Sequence, residues 1–176
     1  MSKNLAVKSD KNNKNGNNQG GNESGKNQLT QFLKIFFAGN GAENSSTSRT
    51  NAEASFEFLQ KRKPGAPKIE ISNYETENSR PRTIVRVLNN DKPFLVDSIV
   101  AEINRSGYKV FEIIHPILKV ERDSKGSFSG FSADGQVESL IHIEIGSITA
   151  TQKKQLEENL ATSLRGLYSA VTDWHS

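Results

Sequence analysis

A chain of 176 residues with 34% hydrophobic side chains is poor in apolar surface for a compact domain of that length, so one folded domain with unfolded flanks is expected. It has no cysteine, which excludes disulfides, thiolate catalysis and thiolate metal sites. The formal charge of +3 resides in residues 1–28, because residues 29–176 balance at 18 basic and 18 acidic side chains, and this argues against a folded basic face for nucleic acid.

Residues 1–28 hold eight asparagines and no aromatic residue, the composition of a disordered, solvated tail. Leu29–Ala38, LTQFLKIFFA, is an apolar island with Leu29, Phe32, Leu33, Phe36 and Phe37 at helical spacing, too short to stand without docking. Gly39–Asn51 reads as a linker, and Ala52–Arg62 as a helix facing inward through Phe56, Phe58 and Leu59. Pro64, Gly65 and Pro67 end that segment.

From Lys68 the pattern is that of an α+β unit. Lys68–Tyr74 alternates like an edge strand, and Thr83–Asn89 is rich in β-branched residues. Asn90 and Asp91 offer capping oxygens before a helix that buries Leu95, Val96, Ile99, Val100 and Ile103, with Pro93 in its first turn and Gly107 as its stop. Lys109–Arg122 reads as one long strand on which Pro116, lacking an N–H, demands an edge or a bulge. Asp123–Gly135 reads as a loop or loose hairpin tip, and Ser139–Gly146 as a strand with Ile141, Ile143 and Ile145 on one face. A final helix, capped by Thr149 or Thr151, turns Leu156, Leu160, Leu164, Leu167 and Val171 inward, with Trp174 at its end. The order βαββα with a preceding strand predicts a ferredoxin-like sandwich, both helices on one face of an antiparallel sheet. Residues 68–74 are a candidate for the missing last strand.

Chemistry-bearing patterns are few. His115 and His142 lie on neighbouring predicted strands, but two imidazoles without a third ligand make a weak metal signal, and His115 reads as a structural polar contact. There is no nucleophile elbow and no Gly-x-Gly-x-x-Gly after a strand. Asp97 and Glu102 are placed on the polar side of their helix, and Glu157 and Glu158 in solvent. No catalytic, cofactor-binding or metal residue is therefore assigned. The candidate ligand or interface turn is Asn89, Asn90, Asp91, Lys92, Pro93 and Phe94, because N–H groups at a helix N-terminus favour carboxylate or phosphate. Against a ligand there, an acidic cap at Asp91 would already occupy those donors. No apolar run approaches the roughly 20 residues of a membrane span, and the N-terminus lacks a secretory core. A cytoplasmic protein without membrane or nucleic-acid partners is expected.

The blocks NDKPFLVDS and IIHPILKVERD, flanked by FLQKRKPGAPKIEISN upstream and by SLIHIEIG and VTDW downstream, resemble the N-terminal region of the large NAD-specific glutamate dehydrogenases, which begins with an ACT-like domain. The island FLKIFF also looks like the start of that region, so the resemblance spans most of residues 29–174. With the composition and periodicity above, three parts are expected: a disordered tail over 1–28, a helical segment and linker over 29–67, and, as the resemblance implies, an ACT-like domain over 68–176. The resemblance further implies an enzyme that oxidatively deaminates glutamate to 2-oxoglutarate and ammonia with NAD. The catalytic and dinucleotide-binding portions of such enzymes lie beyond the length seen here, so neither catalytic residues nor NAD contacts are carried over.

The expected role is a non-catalytic regulatory or assembly module whose partners are other domains or subunits of a large dehydrogenase. Such a chain would be a fragment or a short remnant of the enzyme. Ligand-binding ACT domains commonly carry Asp-x-Pro-Gly at the turn; here Phe94 replaces the glycine, and its ring is expected to fill the ligand's space or pack beneath it. The alternatives are a stand-alone sensor of an amino-acid effector and an interaction protein acting through its tail.

Overall fold

The computed structural model describes residues 20–38, 49–75 and 80–173. In chain order these form helices α1 (Gly20–Ala38) and α2 (Arg49–Leu59), strands β1 (Lys68–Tyr74) and β2 (Arg82–Asn90), and helix α3 (Leu95–Arg105). Strands β3 (Val110–Ile114), β4 (Ile117–Arg122), β5 (Phe128–Phe131) and β6 (Gln136–Gly146) follow, then helix α4 (Ala150–Asp173). The expectations for the N-terminal tail over residues 1–19, for most of the linker, and for Trp174 lie outside the described residues, as does the side chain of Val171.

All strands pair antiparallel in one sheet of order β1-β2-β6-β4-β5, with β3 also paired to β6 in line with β4. The run β2-α3-β3/β4-β6-α4 is the expected ferredoxin-like core. Strand β1 occupies the position of its missing last strand, beside β2 with Ile69 opposite Val87. The long strand expected over 109–122 is divided at His115–Pro116. Proline has no N–H for the ladder, yet its carbonyl still accepts from the Leu140 N–H at 3.1 Å, so the two halves keep a continuous register on β6.

Strand alternation builds two cores on opposite faces of the sheet. Val85 and Val87 of β2 and Ile141, Ile143 and Ile145 of β6 turn toward α3 and α4, where Leu95, Ile99, Ile103, Leu156, Leu160 and Leu164 complete one buried cluster. On the other face Leu88, Leu140, Ile114, Leu118 and Val120 meet Phe32 and Phe36 of α1 and Phe58 and Leu59 of α2. The ferredoxin-like helices thus share one face, as expected, while α1 and α2 cover the second. The apolar island is the cover of that second face, and a buried side chain of this size contributes roughly 1.5–3 kcal/mol.

Several boundaries differ from the sequence reading. Helix α1 begins at Gly20, upstream of Leu29, because residues 23–27 lie on exposed helix surface and need no apolar character. Gln28 fastens this part to the sheet by donating to the Ser129 carbonyl at 3.1 Å. Helix α2 starts at Arg49, inside the expected linker, and ends at Leu59 rather than at Arg62. The loop expected over 123–135 contains β5, held by Phe128 and Phe131, whose rings are 5.0 Å apart at the edge of the second core. Strand β6 starts at Gln136 rather than Ser139. The expected terminators hold. Gly107, with φ 84°, closes α3. Thr149 caps α4 in a reciprocal pair with Gln152, at 3.3 and 2.8 Å.

Candidate functional site

The turn from Asn89 to Phe94 leaves the end of β2 and enters α3, but not as its sequence implied. Asp91 does not cap the helix. The residue preceding α3 is Phe94, in a left-handed conformation (φ 63°, ψ 9°), and no side chain caps the helix N-terminus. Asp91 instead accepts a hydrogen bond from the Ser139 hydroxyl at 2.6 Å, and its own N–H donates to the Val137 carbonyl at 3.1 Å. The turn is therefore moored to β6 rather than to the helix it precedes. Asn90 is likewise diverted, its side-chain oxygen accepting from the Arg62 guanidinium.

His115 joins this arrangement from the β3–β4 break, with Nε2 3.0 Å from Ser139 Oγ. The single Ser139 hydroxyl proton is committed to a carboxylate, so the hydroxyl oxygen must accept from His115, which fixes the imidazole as the Nε2–H tautomer. Burial lowers the His115 pKa, opposed by the negative charge of Asp91. The order His–Ser–Asp is not that of a catalytic triad: the imidazole donates to the serine rather than deprotonating it, and Ser139 is fully buried. The constellation positions a turn. The polar partner of His115 is thus the Ser139 hydroxyl.

Phe94 corrects a further expectation. Its ring does not pack beneath the turn, since the residue is 63% exposed. The left-handed backbone that glycine would adopt easily is retained here by a phenylalanine, at a cost of about 1–2 kcal/mol for a residue bearing a Cβ. Two further apolar residues lie exposed nearby, Ile117 (45%) and Val137 (41%). Their registers, Ile117 opposite Ser139 and Lys119 opposite Val137, place both on the α3 side of the sheet, where neither α3 nor α4 covers the ends of β4 and β6. Phe111 is also exposed, but its ring stacks under the Arg82 guanidinium at 3.9 Å and is already partnered.

The two histidines expected near each other are separated by the sheet. His142 points to the α1/α2 face, its Nδ1 3.0 Å from Ser55 Oγ and its ring edge-on to Phe36 at 5.5 Å. Burial, reinforced by the positive charge of Arg86, pushes the His142 pKa down to about 3. Arg86 is fixed by Ser55, Glu70 and Ser72 at 2.8–3.0 Å, which makes this a structural network. Among the described residues no group of three His, Asp or Glu could hold a metal ion, and no helix is long and apolar enough to cross a membrane.

The sequence reading also missed a buried ionic knot. Glu138 receives Arg122 through two nitrogens, at 2.8 and 2.9 Å, and Arg62 at 3.2 Å. Gly126 is obligatory beside it, because a Cβ there would lie 1.8 Å from the Arg62 carbonyl oxygen. Alternating polar residues in QVESL could have flagged Glu138. Its arginine partners, from the segment after α2 and from β4, become neighbours only in the folded sheet. Nor do the described residues fit a dinucleotide. The strand-to-helix turn is NNDKPF, with no glycine where a pyrophosphate would approach, and the sheet is antiparallel.

Comparison with known proteins agrees with this architecture. The chain is 28% identical over 162 residues to an NAD-specific glutamate dehydrogenase of Halomonas elongata, covering 84% of this chain and 10% of that protein. It is 28% identical over 150 residues to the NAD-specific glutamate dehydrogenase of Pseudomonas aeruginosa, covering 74% and 9% respectively. The chain thus spans about a tenth of the length of these relatives. No solved structure matches it. The family described as "Glutamate dehydrogenase, ACT1 domain" matches residues 42–160, more than half of the chain, and the chain belongs to that family.

Proposed function

We propose that this chain is the non-catalytic N-terminal ACT-like module of an NAD-specific glutamate dehydrogenase, serving assembly and regulation through the surface around Phe94. The oxidative deamination of glutamate to 2-oxoglutarate and ammonia, and the NAD it consumes, belong to the remainder of such an enzyme. The observation that carries the reading is Phe94 itself. A large aromatic side chain is held in strained backbone geometry and left in water, on a turn whose Asp91 N–H is held by the carbonyl of the exposed Val137. Neither strain nor exposure benefits the isolated fold, whereas a partner surface that buried the ring would remove the exposure and offset the strain. The relatives are about ten times longer than the chain, so other domains or subunits of the enzyme are the partners of choice.

The test is deletion of the corresponding region from a full-length NAD-specific glutamate dehydrogenase. Altered assembly or altered response to effectors, with the chemistry still measurable, supports the reading. Unchanged assembly and unchanged regulation contradict it.

One observation favours a second reading, an amino-acid effector at Asn89–Pro93. Asp91 is diverted to Ser139, so the α3 N-terminus has no side-chain cap. A thermal midpoint that rises with added glutamate supports this reading by linkage; a flat titration into the millimolar range rejects it.

A further inference from the structure

The sequence places Glu102 on the polar side of α3, yet in the structure only 5% of the residue is exposed. It forms the floor of a cavity of about 370 Å³ between α3 and α4, walled by Arg105, Ser106, Asn159, Thr162 and Ser163. Burying a carboxylate costs several kcal/mol unless donors surround it, and here the donors come from three directions. Ser163 Oγ donates to Oε2 at 2.8 Å, Ser106 Oγ reaches Oε1 at 3.4 Å, and Arg105 Nη2 meets Oε2 at 2.6 Å. These contacts are unequal in kind. The serines are short, local and half-buried, whereas Arg105 is 70% exposed and arches back from solvent to reach the floor. An ion pair so exposed holds its long side chain weakly, contributing between nothing and about 1 kcal/mol.

We infer that this cavity is a binding site for a guanidinium-bearing ligand, with Glu102 as its anionic anchor and the Arg105 side chain as an internal stand-in that the ligand displaces. The chemistry follows from the floor. A guanidinium presents several N–H donors in one plane. The Glu102 carboxylate and the Ser163 hydroxyl oxygen are the acceptors at the floor; the Asn159 amide oxygen already accepts from Gln155 at 3.0 Å and the Thr162 oxygen from Arg165 at 2.9 Å, so the floor alone would receive the guanidinium. Arg105 demonstrates that a guanidinium nitrogen reaches the carboxylate at hydrogen-bond distance. A carboxylate or phosphate would instead face the Glu102 charge, and Arg105, the cation at the floor, is already paired to it. The site is independent of the Phe94 surface, and its failure would leave the assembly role untouched.

The test titrates the whole chain with agmatine and follows the backbone amides of Ser106, Asn159 and Ser163 by NMR. Saturable shifts at those residues in the wild type are expected, tightened several-fold in Arg105→Ala, where the internal competitor is gone. Glu102→Gln should abolish them; Ser163→Ala, which leaves the carboxylate in place, guards against misfolding and should weaken binding while preserving the dispersed spectrum. Raising the salt concentration should weaken the shifts in both competent forms. A short arginine-containing peptide in place of agmatine separates a partner's side chain from a small molecule as the source: tighter peptide binding assigns the site to a protein partner, and equal or tighter agmatine binding to a free ligand. Absence of saturable shifts in Arg105→Ala up to about 10 mM agmatine, where any affinity is below roughly 3 kcal/mol, or equal shifts in Glu102→Gln, overturns the inference.

Discussion

The Ser139 hydroxyl donates to Asp91 Oδ1 at 2.6 Å across the end of the sheet, while its oxygen lies 3.0 Å from His115 Nε2. This one buried hydroxyl ties the turn before α3 to β6 and to the break between β3 and β4. It keeps Asp91 away from the helix N-terminus and supports the turn on which Phe94 stands exposed.

Removal of that hydroxyl tests the mooring. Ser139→Ala leaves the buried side of His115 without its acceptor and releases Asp91, so a loss of about 1–3 kcal/mol in folding stability is expected. The measurement is the urea midpoint. Nitrogen-15 NMR of His115 supplies a second readout, since the Nε2–H tautomer should lose its dominance when its acceptor is gone.

Phe94→Gly should act in opposite directions on stability and on association. Glycine relieves the left-handed strain, which offers a gain of about 1 kcal/mol, offset in part by the entropy glycine brings to the unfolded chain. Partner binding should fall because the aromatic anchor is lost. Phe94→Ala keeps the strain and removes the ring, so it should weaken association without the gain in stability. Thermal melts of the three forms distinguish these outcomes.

Glu138→Gln should destabilise the fold by about 3–5 kcal/mol, because it leaves the Arg62 and Arg122 guanidiniums buried beside a neutral amide. An exposed pair such as Arg49–Glu53 gives a useful contrast: removing it should cost less than about 1 kcal/mol. Chemical denaturation of both variants compares them directly.

The pH dependence follows from His142. Its folded pKa of about 3 lies below the ordinary value of 6.5, so the unfolded chain binds more protons between those limits. Stability is full above pH 6.5 and is lost progressively as the pH falls toward 3, by a few kcal/mol in total. His115, also lowered, adds a smaller loss that begins in the same region. His142→Gln should flatten the acid limb of a stability-versus-pH curve measured by urea midpoints, even if it lowers the plateau.

Much of the fold was legible because periodicity records which faces are buried. The stripe Leu95–Ile103 and the alternation of Ile141, Ile143 and Ile145 identified α3 and β6, and Pro116 located the break in the third strand. The start of α1 was hidden because residues 23–27 are polar helix surface, and β5 was hidden because glycines and serines surround two phenylalanines. The candidate turn was located, but its chemistry was not. A capping aspartate and an aspartate bonded across a sheet look alike in sequence, and only strand register brings Ser139 to Asp91. Phe94 shows the same limit: its type was readable, whereas its left-handed backbone and outward ring depend on that mooring.

The most direct test of the assembly role is binding of this chain to the remainder of an NAD-specific glutamate dehydrogenase, compared between the wild type and Phe94→Asp by sedimentation velocity. The exposed ring makes the substitution harmless to the isolated fold, which circular dichroism can verify. The account predicts that the wild type cosediments with the enzyme and that Phe94→Asp, equally folded, does not. Equal cosedimentation of the two forms, or none by the wild type, would contradict it.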